Sequence, residues 1–257
     1  MAWTLVRHAL TVIFNNLGYA LRATLVPAAV VIGGFLLLYI GTGLDNFDQT
    51  EFSATDMEEF QSAAGAFALI VVILLPLSLF AFGWMAVVWH RFVLLEEYPG
   101  WVPRIEHRLI WPYVGKTILL ALLIALVMIP VLMLIMPVFS ATGAVGATLF
   151  GVLLNVVVGL IWFRLAIVLP GIALGQSHGF REAWAITKGM NSTLVGVVVI
   201  LSVFQVLAGM AVETIYQIGY LPGLVADVAV QWLVLVLGIS ILTTLYGHLI
   251  EGRDLPT

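Results

Sequence analysis

Three basic side chains lie at equivalent points of the sequence, each two residues after an aromatic residue and at the end of a long apolar stretch. The three motifs are Trp89-His90-Arg91-Phe92, Trp162-Phe163-Arg164-Leu165 and Tyr246-Gly247-His248-Leu249. The planar guanidinium group of arginine can bind two phosphate oxygens at once. We therefore expect Arg91, Arg164 and His248 to bind phosphate groups, with Arg181 and Lys188 as helpers. The alternative is that each base binds backbone carbonyl groups at a helix end.

A second set of polar residues, Asn155, Gln205 and Gln231, lies deep inside apolar stretches. Uncharged amides in such positions often join helices through hydrogen bonds, and this is the interpretation we favour. Glu213 and Asp227 lie near the ends of their stretches, where water can reach them. A pathway for a substrate or ion, lined by Gln205, Glu213 and Asp227, is the alternative.

The search for catalytic motifs gives no nucleophile and base that could work together. The sequence has no cysteine, no Gly-rich phosphate loop, no His-Glu-x-x-His and no Gly-x-Ser-x-Gly. The densest cluster of possible metal ligands or acid–base groups consists of His90, Glu96, Glu97, Glu106 and His107. Because neighbouring arginines oppose cation binding, we expect this cluster to be a solvated loop. We predict no catalytic, metal or cofactor site, and a protein that is not an enzyme.

The composition excludes a soluble domain. Of the 257 residues, 62% are hydrophobic and only 9% are charged, whereas soluble domains have about 25% charged residues. So few charges cannot cover the surface of a soluble fold of this size, and the apolar excess must face lipid. The phosphate groups that the bases would bind are therefore those of membrane lipids, with anionic phospholipid as the expected partner. A formal net charge of -4 gives no reason to expect nucleic acid.

Six apolar stretches are long enough to cross a bilayer, which takes about 20 residues each. They lie at 23–44, 63–88, 117–139, 145–164, 193–213 and 228–247. The sequence predicts an all-α polytopic membrane protein and a single domain over 1–257. Within it we expect an interfacial amphipathic helix at 1–22, a six-span bundle at 23–247 and a cytoplasmic tail at 248–257.

Interfacial helices are expected before span 1 and span 5. On a helical wheel of residues 1–22 one face is apolar, as in a helix that lies in the membrane interface. The residues of that face are Trp3, Val6, Leu10, Ile13, Phe14, Leu17 and Leu21. A similar short helix follows Ser177, which could cap its start. Together with the three motifs, these segments favour three parallel hairpins, although an aromatic residue and a base are common at any cytoplasmic helix end.

All ten Lys and Arg residues fall on one side of the six-span arrangement. They are Arg7, Arg22, Arg91, Arg104, Arg108, Lys116, Arg164, Arg181, Lys188 and Arg253. By the positive-inside rule, that side is cytoplasmic and holds both termini. The loop after span 1 instead carries acids and no base, among them Asp45, Asp48 and Glu51.

The segment from residue 89 to residue 189 resembles a known group of proteins. It contains the first two motifs, then Leu169-Pro170-Gly171-Ile172-Ala173-Leu174, Arg181-Glu182-Ala183-Trp184 and Thr187-Lys188-Gly189. This pattern is similar to that of uncharacterised six-span bacterial inner-membrane proteins, namely the YciC-like proteins and the membrane domain of some glycerophosphodiester phosphodiesterases. The resemblance implies a location in the bacterial inner membrane, but no activity, because no catalytic domain of that kind is present in this sequence.

The function that we expect is non-enzymatic and depends on lipid or protein contacts, as in a scaffold, an assembly factor or a lipid-organising protein. A partner membrane protein or a second copy of the chain could provide such contacts. A transporter or channel for a small solute or ion is the first alternative, and a membrane-embedded enzyme acting on lipids is the second. A deep cavity between spans would favour transport, whereas a sealed bundle with a grooved flank would favour the contact function.

Overall fold

The computed structural model describes residues 1–41, 57–140 and 143–255, and all regular secondary structure assigned in these ranges is helical. The helices are α1 (Ala2–Asn15), α2 (Leu17–Gly41), α3 (Met57–Leu95), α4 (His107–Ser140), α5 (Gly143–Ala166), α6 (Val168–Ala173), α7 (Phe180–Ile186), α8 (Asn191–Tyr216) and α9 (Tyr220–Leu249). The predicted all-α class is confirmed. The acidic residues Asp45, Asp48 and Glu51 lie outside the described ranges.

Six segments of the described chain are long and apolar enough to cross a membrane, in agreement with the sequence prediction. They are Leu17–Gly41, Phe67–Leu95, His107–Pro137, Thr148–Ala173, Asn191–Tyr216 and Tyr220–Leu249. The first begins six residues earlier than predicted because α2 continues through the polar residue Arg22. The last extends to Leu249, so the predicted tail begins inside α9.

The long helices form three antiparallel hairpins, α2 with α3, α4 with α5 and α8 with α9. The hairpins are joined in a closed order, because α3 packs against α4, α5 against α8 and α9 against α3. We call the end of the bundle that holds α1, α7 and residues 250–255 the basic end, and the other the opposite end. The three predicted hairpins are therefore present and share one orientation.

The core lies in the half of the bundle next to the basic end. Its largest fully buried side chains include Trp89, Tyr113 and Tyr246. The short helix α6 lies across this end and contacts α3, α4 and α9, one helix from each hairpin. In the opposite half, large apolar side chains such as Leu37, Met133 and Leu134 are exposed. A bundle that is closed at one end and apolar outside requires lipid around its other half.

The N-terminal helix α1 has a wider apolar surface than the wheel predicts. Leu5 and Ile13 belong to the side that is fully buried, and α1 packs on α8 and α9. Ser240 of α9 donates a hydrogen bond from Oγ to the Ala9 carbonyl oxygen at 3.3 Å. Trp3 and Phe14 remain exposed. One part of the predicted apolar face therefore packs on the protein, and another part is free to face the membrane.

The second short helix, α7, begins after Gly179 and not after a Ser177 cap. The Glu182 carboxylate accepts the Gly179 N–H at 3.4 Å and lies 3.0 Å from Nδ1 of His178. The hydrogen bond from His178 and the one from Gly179 hold the pKa of Glu182 below its ordinary value. A glutamate in the first turn provides the stabilisation that we expected from serine.

Candidate functional site

Three arginines at the basic end each donate a hydrogen bond to a backbone carbonyl of a different hairpin or its flanking helix. We call Arg91, Arg164 and Arg253 the arginine ring. The bonds are Arg91 Nη1 to Ala173 O at 3.0 Å, Arg164 Nη2 to Trp184 O at 2.9 Å and Arg253 Nη2 to Leu94 O at 2.7 Å. They link the first hairpin to the end of the second, the second to the helix before the third, and the third to the first. The ring therefore closes the order of the hairpins.

Arg164 is the most enclosed member of the ring, with 6% of its surface exposed. Its Nε donates to Thr187 Oγ1 at 3.2 Å, and its Nη1 donates to Asn191 Oδ1 at 3.0 Å. The guanidinium carbon lies 3.7 Å from the centre of the Trp184 ring, in a cation–π contact. All three nitrogens of Arg164 therefore have partners inside the protein. The predicted contact of Arg164 with a phosphate group stays a prediction.

Arg91 is half-buried and forms a bidentate ion pair with Glu97. Its Nε lies 2.8 Å from Oε2 of Glu97, and its Nη2 binds Oε1. With the Ala173 carbonyl, these contacts occupy every nitrogen of the Arg91 side chain. Its predicted lipid contact also stays a prediction.

The third place of the ring belongs to Arg253, which the motif did not identify. Nδ1 of His248 lies 2.9 Å from the carbonyl oxygen of Arg253. Gly252, at φ +69, lies in the turn after α9, and the Arg253 N–H donates to the Gly247 carbonyl oxygen at 2.9 Å. A glycine just after an apolar helix is the sequence signal for such a turn. That signal could have indicated that the next residue returns to the bundle.

The ten bases separate into two equal sets. The first set consists of the three members of the arginine ring together with Arg22 and Lys116. Arg22 lies 4.8 Å from the centre of the Trp101 side-chain ring, and Lys116 lies 4.6 Å from the centre of the Phe180 side-chain ring. The other five have exposed side chains that form no hydrogen bond, ion pair or ring contact with any residue in the described ranges. We call these five the free bases: Arg7, Arg104, Arg108, Arg181 and Lys188.

Exposed aromatic side chains accompany the free bases at the basic end. They are Trp3, Tyr98, Trp101, Trp111 and Trp184. Tryptophan and tyrosine are enriched where a membrane protein meets the head-group region, because one part of each ring system is apolar and another is polar. The basic end thus combines unpartnered positive charge with side chains suited to a membrane interface.

His90 was expected in a solvated loop, and this prediction is wrong. His90 is 0% exposed and lies between the other two hairpins. Its Nδ1 is 2.8 Å from Thr243 Oγ1 and its Nε2 is 3.2 Å from Tyr113 Oη. Thr243 donates its own proton to Ile239 O at 2.8 Å, so this network assigns a proton to Nδ1 of a neutral His90 and leaves Nε2 to accept from Tyr113. Within the described chain, no group of three or more metal-binding side chains is found.

Each of the three intramembrane amides lines at least one cavity between neighbouring helices. Oδ1 of Asn155 on α5 lies 2.8 Å from Ser202 Oγ on α8, and Gln231 Nε2 donates to Asp227 Oδ1 at 3.2 Å within α9. Gln205 lines three cavities, of about 650, 540 and 230 Å³. Asn155 lines two of them and Gln231 the third. Gln205 therefore lies between two cavities that α5 forms with α8 and one that α8 forms with α9. Of the two amide hydrogen bonds, the one from Ser202 to Asn155 joins two helices as expected, whereas that of Gln231 stays within α9.

Comparison of the chain with protein-family models, with curated proteins and with solved structures finds no match. The resemblance to the YciC-like proteins and to the phosphodiesterase membrane domain therefore stays a prediction from the residues quoted above.

Proposed function

We propose that this protein is a non-enzymatic integral membrane protein that acts by binding anionic phospholipid at its basic end. We place that end, with both termini, on the cytoplasmic side of a bacterial inner membrane. The observation that carries the proposal is the division of the bases into five that serve the fold and five that are exposed without a partner in the described chain. Such unpartnered charge at a membrane interface attracts phosphate.

The energetics favour an anionic lipid as the partner. Each Lys or Arg near the surface of an anionic leaflet contributes about 1 kcal/mol of attraction. Two of the five free bases, Arg181 and Lys188, were predicted from the sequence, and the geometry adds Arg7, Arg104 and Arg108. Because Arg91 and Arg164 use their nitrogens inside the protein, substitutions there should act mainly on the fold.

The test is lipid retention by purified protein. Delipidated wild type and an Arg181→Gln/Lys188→Gln variant are titrated with phosphatidylglycerol, and bound lipid is counted by native mass spectrometry. We expect retention to fall about fivefold per base, the factor that corresponds to about 1 kcal/mol. An Arg91→Gln/Arg164→Gln variant serves as the contrast and should lose stability first. Unchanged retention in the Arg181/Lys188 variant would refute the proposal.

The orientation is tested with single cysteines, since the chain has none of its own. Ile218, exposed at the opposite end, and Ser177, exposed at the basic end, are each replaced by cysteine. In intact cells a membrane-impermeant maleimide should label the cysteine at position 218 and leave the one at position 177 unlabelled. Labelling at position 177 would place the basic end outside.

A second candidate function, transport of a small polar solute, is favoured by the three cavities that Gln205 lines. One of them also holds Glu213 and Asp227, close to the opposite end. The test is a single cysteine at position 205, treated in cells with a small polar thiosulfonate. Reaction would indicate water in the cavity, as transport needs. A cysteine that reacts only with an apolar thiol reagent would indicate lipid there and would count against transport.

A further inference from the structure

A cavity of about 570 Å³ lies at the basic end, beside α3 and under the segment that joins α3 to α4. Val87, Val88 and Arg91 of α3 form one part of its lining, and residues from Glu97 to Glu106 form the rest. Its volume falls in the range of small-molecule sites, about 300–1,000 Å³.

The wall of this cavity is held by packing and by a hydrogen bond. Trp84 donates from Nε1 to the Arg104 carbonyl oxygen at 3.1 Å. The Tyr98 ring lies 5.1 Å from the Tyr19 ring and 5.6 Å from the Phe92 ring. These contacts tie the non-helical segment to α2 and α3. The cavity is therefore formed before any ligand arrives.

Four charged residues line the cavity, and two of them neutralise each other. Arg91 and Glu97 form the bidentate ion pair described above. Arg104 and Glu106 lie two residues apart in the segment before α4, and both are exposed. Neither side chain forms a hydrogen bond or ion pair with another residue of the described chain. The cavity therefore contains one positive and one negative side chain that can both bind a ligand.

Paired charges of opposite sign are complementary to a zwitterion. We propose that this cavity binds the phosphoethanolamine head group of a membrane phospholipid, with its phosphate on Arg104 and its primary ammonium on Glu106. The inference rests on the proposed lipid-binding function and names one lipid class for one site. A lipid is the favoured source because Val102, which lines the cavity, and Trp101, which precedes it in sequence, have exposed side chains that suit the membrane interface.

The chemistry also separates this head group from two common competitors. A primary ammonium donates hydrogen bonds to a carboxylate, whereas the trimethylammonium of choline has no N–H to donate. The glycerol head group of phosphatidylglycerol has no cation, and its lipid is repelled by the charge on Glu106. We therefore expect the order phosphatidylethanolamine, then phosphatidylcholine, then phosphatidylglycerol at this site.

The experiment is competition among these three lipids, added in equal amounts to delipidated full-length protein and counted by native mass spectrometry. Glu106→Gln should lower the ratio of bound phosphatidylethanolamine to phosphatidylglycerol about fivefold. Arg104→Gln should lower retention of both lipids. The matched control Glu96→Gln replaces an exposed carboxylate that does not line the cavity, and it should leave the ratio unchanged. Size-exclusion chromatography confirms that each variant is folded.

A charge reversal, Glu106→Lys, is included because the effect of the neutral Glu106→Gln variant could be small. It should reverse the order of the lipids in favour of phosphatidylglycerol. The inference is overturned if wild type shows no preference, or if Glu106→Gln behaves like Glu96→Gln. In that case the proposed function still stands when phosphatidylglycerol retention depends on Arg181 and Lys188. If soluble glycerophosphoethanolamine binds as tightly as the lipid, the assignment to a lipid is overturned.

Discussion

Replacement of Arg164 by glutamine separates a structural role from a lipid-binding role. In the structure the guanidinium group binds Thr187, Asn191 and the Trp184 carbonyl, and it stacks on the Trp184 ring. Glutamine is shorter, carries no charge and cannot reach these partners together. We therefore expect Arg164→Gln to destabilise the protein.

The magnitude follows from what each partner loses. Thr187 keeps its hydrogen bond to the Ala183 carbonyl oxygen at 2.8 Å, and Asn191 is exposed enough to bind water. The Trp184 carbonyl oxygen keeps only a long contact of 3.4 Å from Thr187 Oγ1, and loss of its charged donor costs about 1–3 kcal/mol. Loss of the cation–π contact adds about 1–2 kcal/mol. The expected loss in free energy of unfolding is about 2–5 kcal/mol.

The assay is unfolding in mixed micelles with increasing SDS, followed by tryptophan fluorescence, and the chain has 8 tryptophans. Arg181→Gln is the matched control, because Arg181 is exposed and has no partner in the described ranges. A surface substitution of this kind should change stability by less than about 0.5 kcal/mol. If Arg164→Gln unfolds at the same SDS fraction as Arg181→Gln, the internal contacts of Arg164 do not stabilise the fold and our reasoning is wrong.

Three further predictions concern other parts of the basic end. His90→Leu should lower the free energy of unfolding by about 1–3 kcal/mol, because the buried Tyr113 hydroxyl loses its acceptor, and adding Tyr113→Phe should recover part of the loss; a purely additive double variant in the same SDS assay would contradict this. Ile13→Asp should prevent α1 from packing, whereas Thr11→Asp on its exposed side should be tolerated; equal yields of folded protein would mean that α1 does not dock. Because the pKa of Glu182 is lowered in the folded protein, its ionised carboxylate should stabilise the start of α7 at any pH above the ordinary carboxyl pKa. This contribution should be lost as the pH falls through the lowered pKa. If amide hydrogen exchange of α7 responds to acid equally in wild type and in Glu182→Gln, the prediction is wrong.

The fold could be predicted because membrane spans have a strong local signal. A run of about 20 apolar residues must be a helix in lipid, whatever its neighbours are. The burial of His90, in contrast, could not be predicted from such a local signal. Charged residues, among them Arg91 and Glu97, follow His90 in the sequence, but successive residues on a helix point about 100° apart. Arg91 therefore reaches Glu97 while His90 points into the core, and only the packing of three hairpins shows which side is buried.

The roles of the arginines were harder to predict because two uses of arginine have the same sequence pattern. A base that follows an aromatic residue at a helix end can bind a phosphate group or a backbone carbonyl. The sequence offered both interpretations for Arg91 and Arg164, and the choice depended on residues far along the chain, such as Ala173 and Trp184. Arg253 lies outside the motif altogether, and it reaches Leu94 only because the chain turns at Gly252.

The separation of the bases has a physical basis in the helix ends. The last carbonyl groups of a helix have no partner within the helix and attract positive charge. Arg253 binds the carbonyl groups of Val93 and Leu94 at the end of α3, and Arg91 binds that of Ala173 at the end of α6. These carbonyls are supplied by the protein, so the closure of the bundle does not require an anionic lipid. The free bases have no such task. Their substitution should change lipid binding while leaving stability intact, and substitution in the arginine ring should do the reverse.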